Sequence, residues 1–353
     1  MLQPTLYEYR TLILLMLSAL VLAGCFSERT VQDSLEDYSE RLAYVLDTEL
    51  PETLPPSLPP LAASSVIKND IQELNINLRD FYALQDCELG RVVAERNTSL
   101  GKSQLPSQRL IYESKLLSVL ETCKKALQES NESLAAMMDE WQHQKRIDFV
   151  KSWANLIQTS KEIRLALNTP EQLVSMTSAT NANTSINSFF FIDSVKYTAG
   201  INEVRPIDSA EFEAQLQMIT SVRLPASMWR TQLLLAEHLD ALTLSLTPKL
   251  QAISCPDGRP TDQAKILRNV FYLFFIEEVQ PVGSLINQYH YKLQPLWQSW
   301  LVHPAFHDDF KHYIATQSNT NFERYSKAIQ NHVSLWQGFL KRCNLSPVAP
   351  TQA

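Results

Sequence analysis

The chain has 353 residues, 45% of them apolar and 20% charged, with 31 Lys plus Arg against 38 Asp plus Glu for a formal net charge of −7. This is the balance of a globular protein with a real core. An acidic chain with no basic block argues against a nucleic-acid partner and against electrostatic attraction to anionic lipid. Only seven glycines occur, so tight turns and strand corners are scarce and helices are expected.

Residues 1–10 are mostly polar, with Arg10 partly offset by Glu8. Thr11 to Leu22 is then an almost unbroken apolar run of about a dozen residues, short of the roughly 20 that span a bilayer. It reads as the apolar segment of a signal peptide covering residues 1–24. The run ends in Leu22-Ala23-Gly24-Cys25, which resembles the bacterial lipobox. The resemblance implies a diacylglycerol thioether on Cys25, cleavage before it and acylation of the new amine. One acyl chain anchors weakly at about 0.8 kcal/mol per buried methylene, whereas two or three hold permanently. Phe26, not Asp, follows the cysteine. By resemblance to known sorting rules this implies the outer membrane, with the mature chain on the periplasmic face.

Along the mature chain, Val31, Leu35, Tyr38, Leu42 and Val45 recur at helical spacing and predict an amphipathic helix over 31–47. Pro51, Pro55, Pro56, Pro59 and Pro60 then predict an extended, semi-rigid segment. The first helix therefore needs its own docking place on the main body. Ile67, Ile71, Leu74, Leu78, Phe81, Leu89 and Val92 predict a helix over 66–96, and polar residues from Arg96 to Pro106 a loop. A third helical region starts near Ser107, with Leu116, Leu120, Cys123, Leu127, Leu134, Met138 and Trp141 on one face. It continues, with a break, to about Leu167.

Residues 174–188, rich in Ser, Thr, Asn and Ala, read as a flexible loop. Phe189–Ile192 and Val195–Thr198, either side of Asp193-Ser194, read as a small β-hairpin; a lid or partner-docking loop is one use for such a stretch. Helices resume over 208–220, 226–247, 261–299 and 320–342, with Pro281 and Pro295 expected to break or kink the third of these. The predicted fold is an all-α bundle of long amphipathic helices with one irregular insertion near 185–200. Its organisation is a signal peptide (1–24), an anchor, short helix and Pro-rich link (25–62), a helical domain (63–343) and a tail (344–353).

Four cysteines follow Cys25: Cys87, Cys123, Cys255 and Cys343. An even count in an oxidising compartment predicts two disulfides. Three connectivities are open; the local pairing, Cys87–Cys123 and Cys255–Cys343, is preferred. On a continuous 66–96 helix Cys87 would lie opposite the apolar stripe, which weighs against that pairing.

A helix with Tyr38 to Ala43 (Tyr-Ser-Glu-Arg-Leu-Ala) is followed by the proline-rich link. Then come Arg96-Asn97-Thr98-Ser99-Leu100-Gly101-Lys102 and Pro106-Ser107-Gln108-Arg109-Leu110. With the lipobox, this order resembles the bacterial lipoproteins grouped as domain of unknown function 3080. The resemblance covers most of the mature chain and implies no activity.

No motif carries chemistry strongly. Gly101-Lys102-Ser103 looks like the end of a phosphate-binding loop, but Arg96 stands where the first glycine belongs. His303, His307 and His312 with Asp308 and Asp309 have metal-like spacing, yet no Glu lies between the histidines and Pro304 crowds the turn. Glu277 and Glu278 are adjacent, so on a helix they diverge instead of forming an acid/base pair; one could meet an arginine at the core edge. Trp141, Trp153, Trp229, Trp297, Trp300 and Trp336 could line a groove for lipid or glycan, but core packing is the plainer role. No catalytic residue, metal or cofactor is expected. The favoured reading is a non-enzymatic binding or scaffolding protein, held to the outer membrane through lipid on Cys25 and contacting another envelope component. The alternatives are a helical module for a small apolar or glycan ligand and, weaker, an enzyme.

Overall fold

The computed structural model describes residues 29–96, 105–170, 172–176, 179–200 and 204–346. Its elements in order are α1 (Val31–Leu46), α2 (Ser64–Ile67), α3 (Leu78–Ala83), α4 (Glu88–Arg96), α5 (Pro106–Leu127), α6 (Glu132–Thr159) and α7 (Lys161–Asn168). There follow α8 (Ala179–Ser194), a 3-10 turn (Val195–Gly200), α9 (Ser209–Val222), α10 (Leu224–Ala252) and α11 (Asp262–Val270). The chain closes with a π-helical stretch (Phe271–Val279), α12 (Gln280–Val302), α13 (Asp308–Ala315), a second π stretch (Thr316–Thr320) and α14 (Asn321–Arg342). Among the described residues there is no strand, and no helix is long and apolar enough to cross a membrane.

A capping box starts α1. Thr30 Oγ1 accepts from Asp33 N at 3.2 Å, and Asp33 Oδ2 accepts from Thr30 N at 2.7 Å. Val31, Leu35, Tyr38 and Leu42 are buried along one face, which packs against the Phe271–Val279 stretch. The proline segment that follows lies along the body. Pro56 O accepts from Arg230 Nε at 3.1 Å, Pro59 O accepts from Asn168 Nδ2 at 2.5 Å, and Leu61 is buried in the core.

The expected 66–96 helix is divided. Asn155 is the reason at its start: its Oδ1 accepts from Asn69 N at 2.7 Å and its Nδ2 donates to Asn69 O at 2.9 Å. That reciprocal grip satisfies the backbone as a strand partner would, and residues 68–77 run without helical bonds. Asn77 then caps α3 through Asp80 N, and the chain turns again at 84–87. Gly90 permits the turn: a Cβ there would stand 2.5 Å from Leu84 O. The turn also frees Cys87 from the face a continuous helix would assign it, and Cys87 bonds Cys123 with Cα atoms 5.6 Å apart.

From Ala179 onward the expected loop and β-hairpin are replaced by α8 and its 3-10 extension. Ala182, Ile186, Phe189 and Ile192 are buried at helical spacing, so the stripe runs through the polar half as well. Ser185 and Ser188 are buried too, and Ser188 Oγ lies 2.6 Å from Gln215 Oε1 on α9; small polar side chains let the two helices approach closely. Asp193 is not a turn residue but a buried carboxylate. It accepts from Trp300 Nε1 at 2.8 Å and pairs with Lys196 at 2.9 Å.

Helices α10 and α14 are parallel, because Glu237 and Arg324, Thr243 and His332, and Leu250 and Arg342 meet in step along them. Arg342 donates to the terminal carbonyls of α10, at 3.1 Å to Gln251 and 3.2 Å to Ile253, where orphan acceptors and the negative end of the helix dipole favour a cation. Cys255–Cys343 closes the pair just beyond both ends, with Cα atoms 5.2 Å apart. Pro281 does not break the 262–302 helix. A proline ring crowds the carbonyl four residues back, and here the preceding turns widen into the π stretch.

Candidate functional site

A cleft of about 550 Å³ opens among α4, α5, α6 and the extended residues 73–76. Helices α4 and α5 are antiparallel: the Cys87–Cys123 bond joins the start of one to the end of the other, and Lys115 Nζ meets Glu95 Oε2 at 3.4 Å. Helices α5 and α6 form an antiparallel hairpin, fixed by Lys124–Asp139 at 2.8 Å and by Gln142 donating to Glu121 at 3.1 Å.

This arrangement sorts the lining by polarity. On α4 the sequence runs Leu89, Val93, Arg96; on α5, read backwards, Leu120, Leu116, Tyr112, Arg109; on α6, Trp141, Lys145. Each series uses three- or four-residue steps, so each lies on one helical face. The apolar members gather at the disulfide end and the cations at the other. Leu74, Ile76 and Leu84 extend the apolar wall.

Behind the charged end, Glu113 is wholly buried. Its Oε1 pairs with Arg109 Nη2 at 2.5 Å and with Lys145 Nζ at 3.4 Å, while Lys145 Nζ stands 3.6 Å from Asp148 Oδ2. Among the described residues Arg109 Nε and Glu113 Oε2 have no hydrogen-bond partner. The Arg109 guanidinium lies 5.8 Å from the centre of the Tyr112 ring. Burial, with Glu113 alongside, pushes the Tyr112 hydroxyl up to about 12, so it remains a neutral donor. Burial and then Arg109 depress the Arg96 guanidinium from its usual range.

A second polar centre docks α1. His332 Nε2 takes a hydrogen bond from Trp336 Nε1 at 3.1 Å and lies 2.9 Å from Tyr38 Oη. Indole N–H only donates, so Nε2 is the acceptor. The ring proton therefore sits on Nδ1 and points to Thr243 Oγ1 at 2.9 Å. Ser39 Oγ lies 2.8 Å from His238 Nε2. Burial pushes His332 down to about 3, with His238 adding to the effect, and His238 down to about 4.

The candidates read from sequence fall elsewhere. Cys25 and the Gly101-Lys102-Ser103 motif lie outside the described residues. His307 caps α13, its Nδ1 accepting from Asp309 N at 3.2 Å, and Asp308 is exposed; His303 rests edge-on against Trp153. Among the described residues no group of three His, Cys, Asp or Glu is placed to hold a metal. Glu278 accepts from Arg29 Nη1 at 2.9 Å, the arginine contact expected for one of the two glutamates. Five tryptophans are wholly buried core residues, and only Trp141 lines the cleft. The cleft cations and Glu113 were not singled out from sequence. The signal was present: Arg109 and Glu113 extend the Leu116–Leu120 stripe backwards, placing charges on an apolar face.

The fold and site define an all-α, disulfide-braced domain with a polarised interhelical cleft. The chain matches the family described as protein of unknown function (DUF3080) over residues 35–347, and it belongs to that family. No match was found among curated proteins or solved structures. Arg96 and Arg109 both fall in the short stretches on which the sequence resemblance rests.

Proposed function

We propose that this is a lipid-anchored, non-enzymatic binding protein of the bacterial outer membrane, facing the periplasm, and that its binding element is the α4–α5–α6 cleft. The carrying observation is the cleft itself: roomy, walled by Leu74, Ile76, Leu89, Val93, Leu116 and Leu120, with cations converging at one end. Small-molecule sites likewise combine an apolar wall with placed polar groups. That make-up favours a ligand over the flat apolar patch that a protein partner would use. The lipobox-like Leu22-Ala23-Gly24-Cys25 supports the anchoring.

Two experiments test this. Cells fed a radiolabelled fatty acid should label the chain, and Cys25→Ala should abolish the label; labelling of the variant would sink the anchor. Native mass spectrometry of the chain from its own membranes should show an adduct below about 1 kDa that is lost when Val93→Trp fills the cleft. An adduct that persists in that folded variant would place binding elsewhere.

A further inference from the structure

We infer that the cleft takes a single-chain amphiphile with one anionic head, its acyl chain toward the Cys87–Cys123 end and its head beside Arg96 and Arg109. This rests on the cleft being the binding element and adds the ligand class. The polarity of the lining carries it: α4, α5 and α6 each pass from apolar to cationic in the same direction, so the cavity has a greasy end and a charged end. Among the described lining residues only Glu73 is acidic, against three cations. Glu113 and Asp148 lie behind the wall; Glu113 pairs with Arg109 and Lys145, and Asp148 with Lys145. Burial and then Arg109 depress the Arg96 guanidinium, with Tyr112, Glu113 and Glu73 opposing; the lining itself, with Arg96, Arg109 and Lys145 converging at one end, favours an anionic head over a cationic one. The cavity of about 550 Å³ is of a size to take one long chain.

The rim points the same way. Helix α3 lies between cleft residues Ile76 and Leu84 and exposes Leu78 (68%) and Tyr82 (65%), four residues apart on one outward face. Two bare apolar side chains beside the cleft suit contact with the membrane surface from which such a ligand would come.

The test reads Trp141. In the full chain carrying Cys25→Ser, a 16-carbon fatty acid brominated on its chain, a lysophosphatidylglycerol brominated likewise, and an uncharged brominated monoacylglycerol are titrated in turn. Quenching that disappears in Trp141→Phe reports the cleft alone. We expect such quenching by at least one anionic probe, with an affinity at least tenfold above the monoacylglycerol. Arg96→Gln and, separately, Arg109→Gln should reduce that preference about tenfold, and Arg96→Gln leaves the Glu113 pairing intact should Arg109→Gln fail to fold. Quenching by the fatty acid alone assigns a carboxylate head; by the lysophospholipid alone, a phosphate head. Equal affinity for the uncharged probe overturns the anionic head while leaving the cleft as a binding element. Absence of Trp141-dependent quenching by all three overturns both.

Discussion

His332 is enclosed by Tyr38, Thr243 and Trp336. Its folded pKa of about 3 and that of His238 at about 4 lie below the ordinary imidazole value of 6.5. The unfolded chain therefore binds more protons below pH 6.5, so stability is full above that pH and falls as pH drops. Each group removes up to about 1.4 kcal/mol per pH unit, both acting from 6.5 to about 4 and His332 alone from there to about 3. Urea midpoints between pH 7.5 and 4.5 should fall steeply, and His332→Gln should flatten the slope by roughly half; an unchanged slope would refute the assignment. Asp193 makes a second residue-scale prediction. Asp193→Ala strands Lys196 uncompensated in the core and should cost about 3–5 kcal/mol. Adding Lys196→Met should recover most of that, read as denaturant midpoints at constant m.

At the scale of elements, the two disulfides close loops of different length, 36 and 88 residues. In the chain-entropy picture, replacing Cys87 and Cys123 by Ser should cost about 4 kcal/mol, and replacing Cys255 and Cys343 about 4.6 kcal/mol. The denatured, unreduced protein should show no free thiol at these four positions, and four reactive thiols would refute the pairing. Most long helices were legible because their apolar residues recur every three or four positions: α1, α5, α9, α10 and α14 lie within a few residues of expectation. The failures share a cause. Periodicity predicted helix across 68–77, but Asn155, distant in sequence, captured the Asn69 backbone. Polar composition predicted a loop before Phe189, but Ser185 and Ser188 were small enough to bury against α9. The cleft was hidden for the same reason, since Arg109 and Lys145 meet only through Glu113 once α5 and α6 fold back on each other.

At the scale of the whole molecule, α1 belongs to the core even though the prolines separate it in sequence. Val31, Leu35, Tyr38 and Leu42 are all buried, and at about 1.5–3 kcal/mol each they contribute roughly 6–12 kcal/mol, comparable to the whole stability of a domain. A chain starting at residue 63 should therefore lose cooperative unfolding and bind a dye for exposed apolar surface; an unchanged melting temperature would show α1 to be dispensable. The family match likewise begins at residue 35, inside α1. This docking fixes the length of the mooring. Cys25 and Arg29, which is held to the body through Glu278, are four residues apart, at most about 14 Å of chain, because the prolines are spent along the body instead of as rope. With lipid on Cys25 as proposed, the protein sits at berth on its own leaflet. So held, it would reach what diffuses along that surface, and a partner on the opposite membrane would have to come to it.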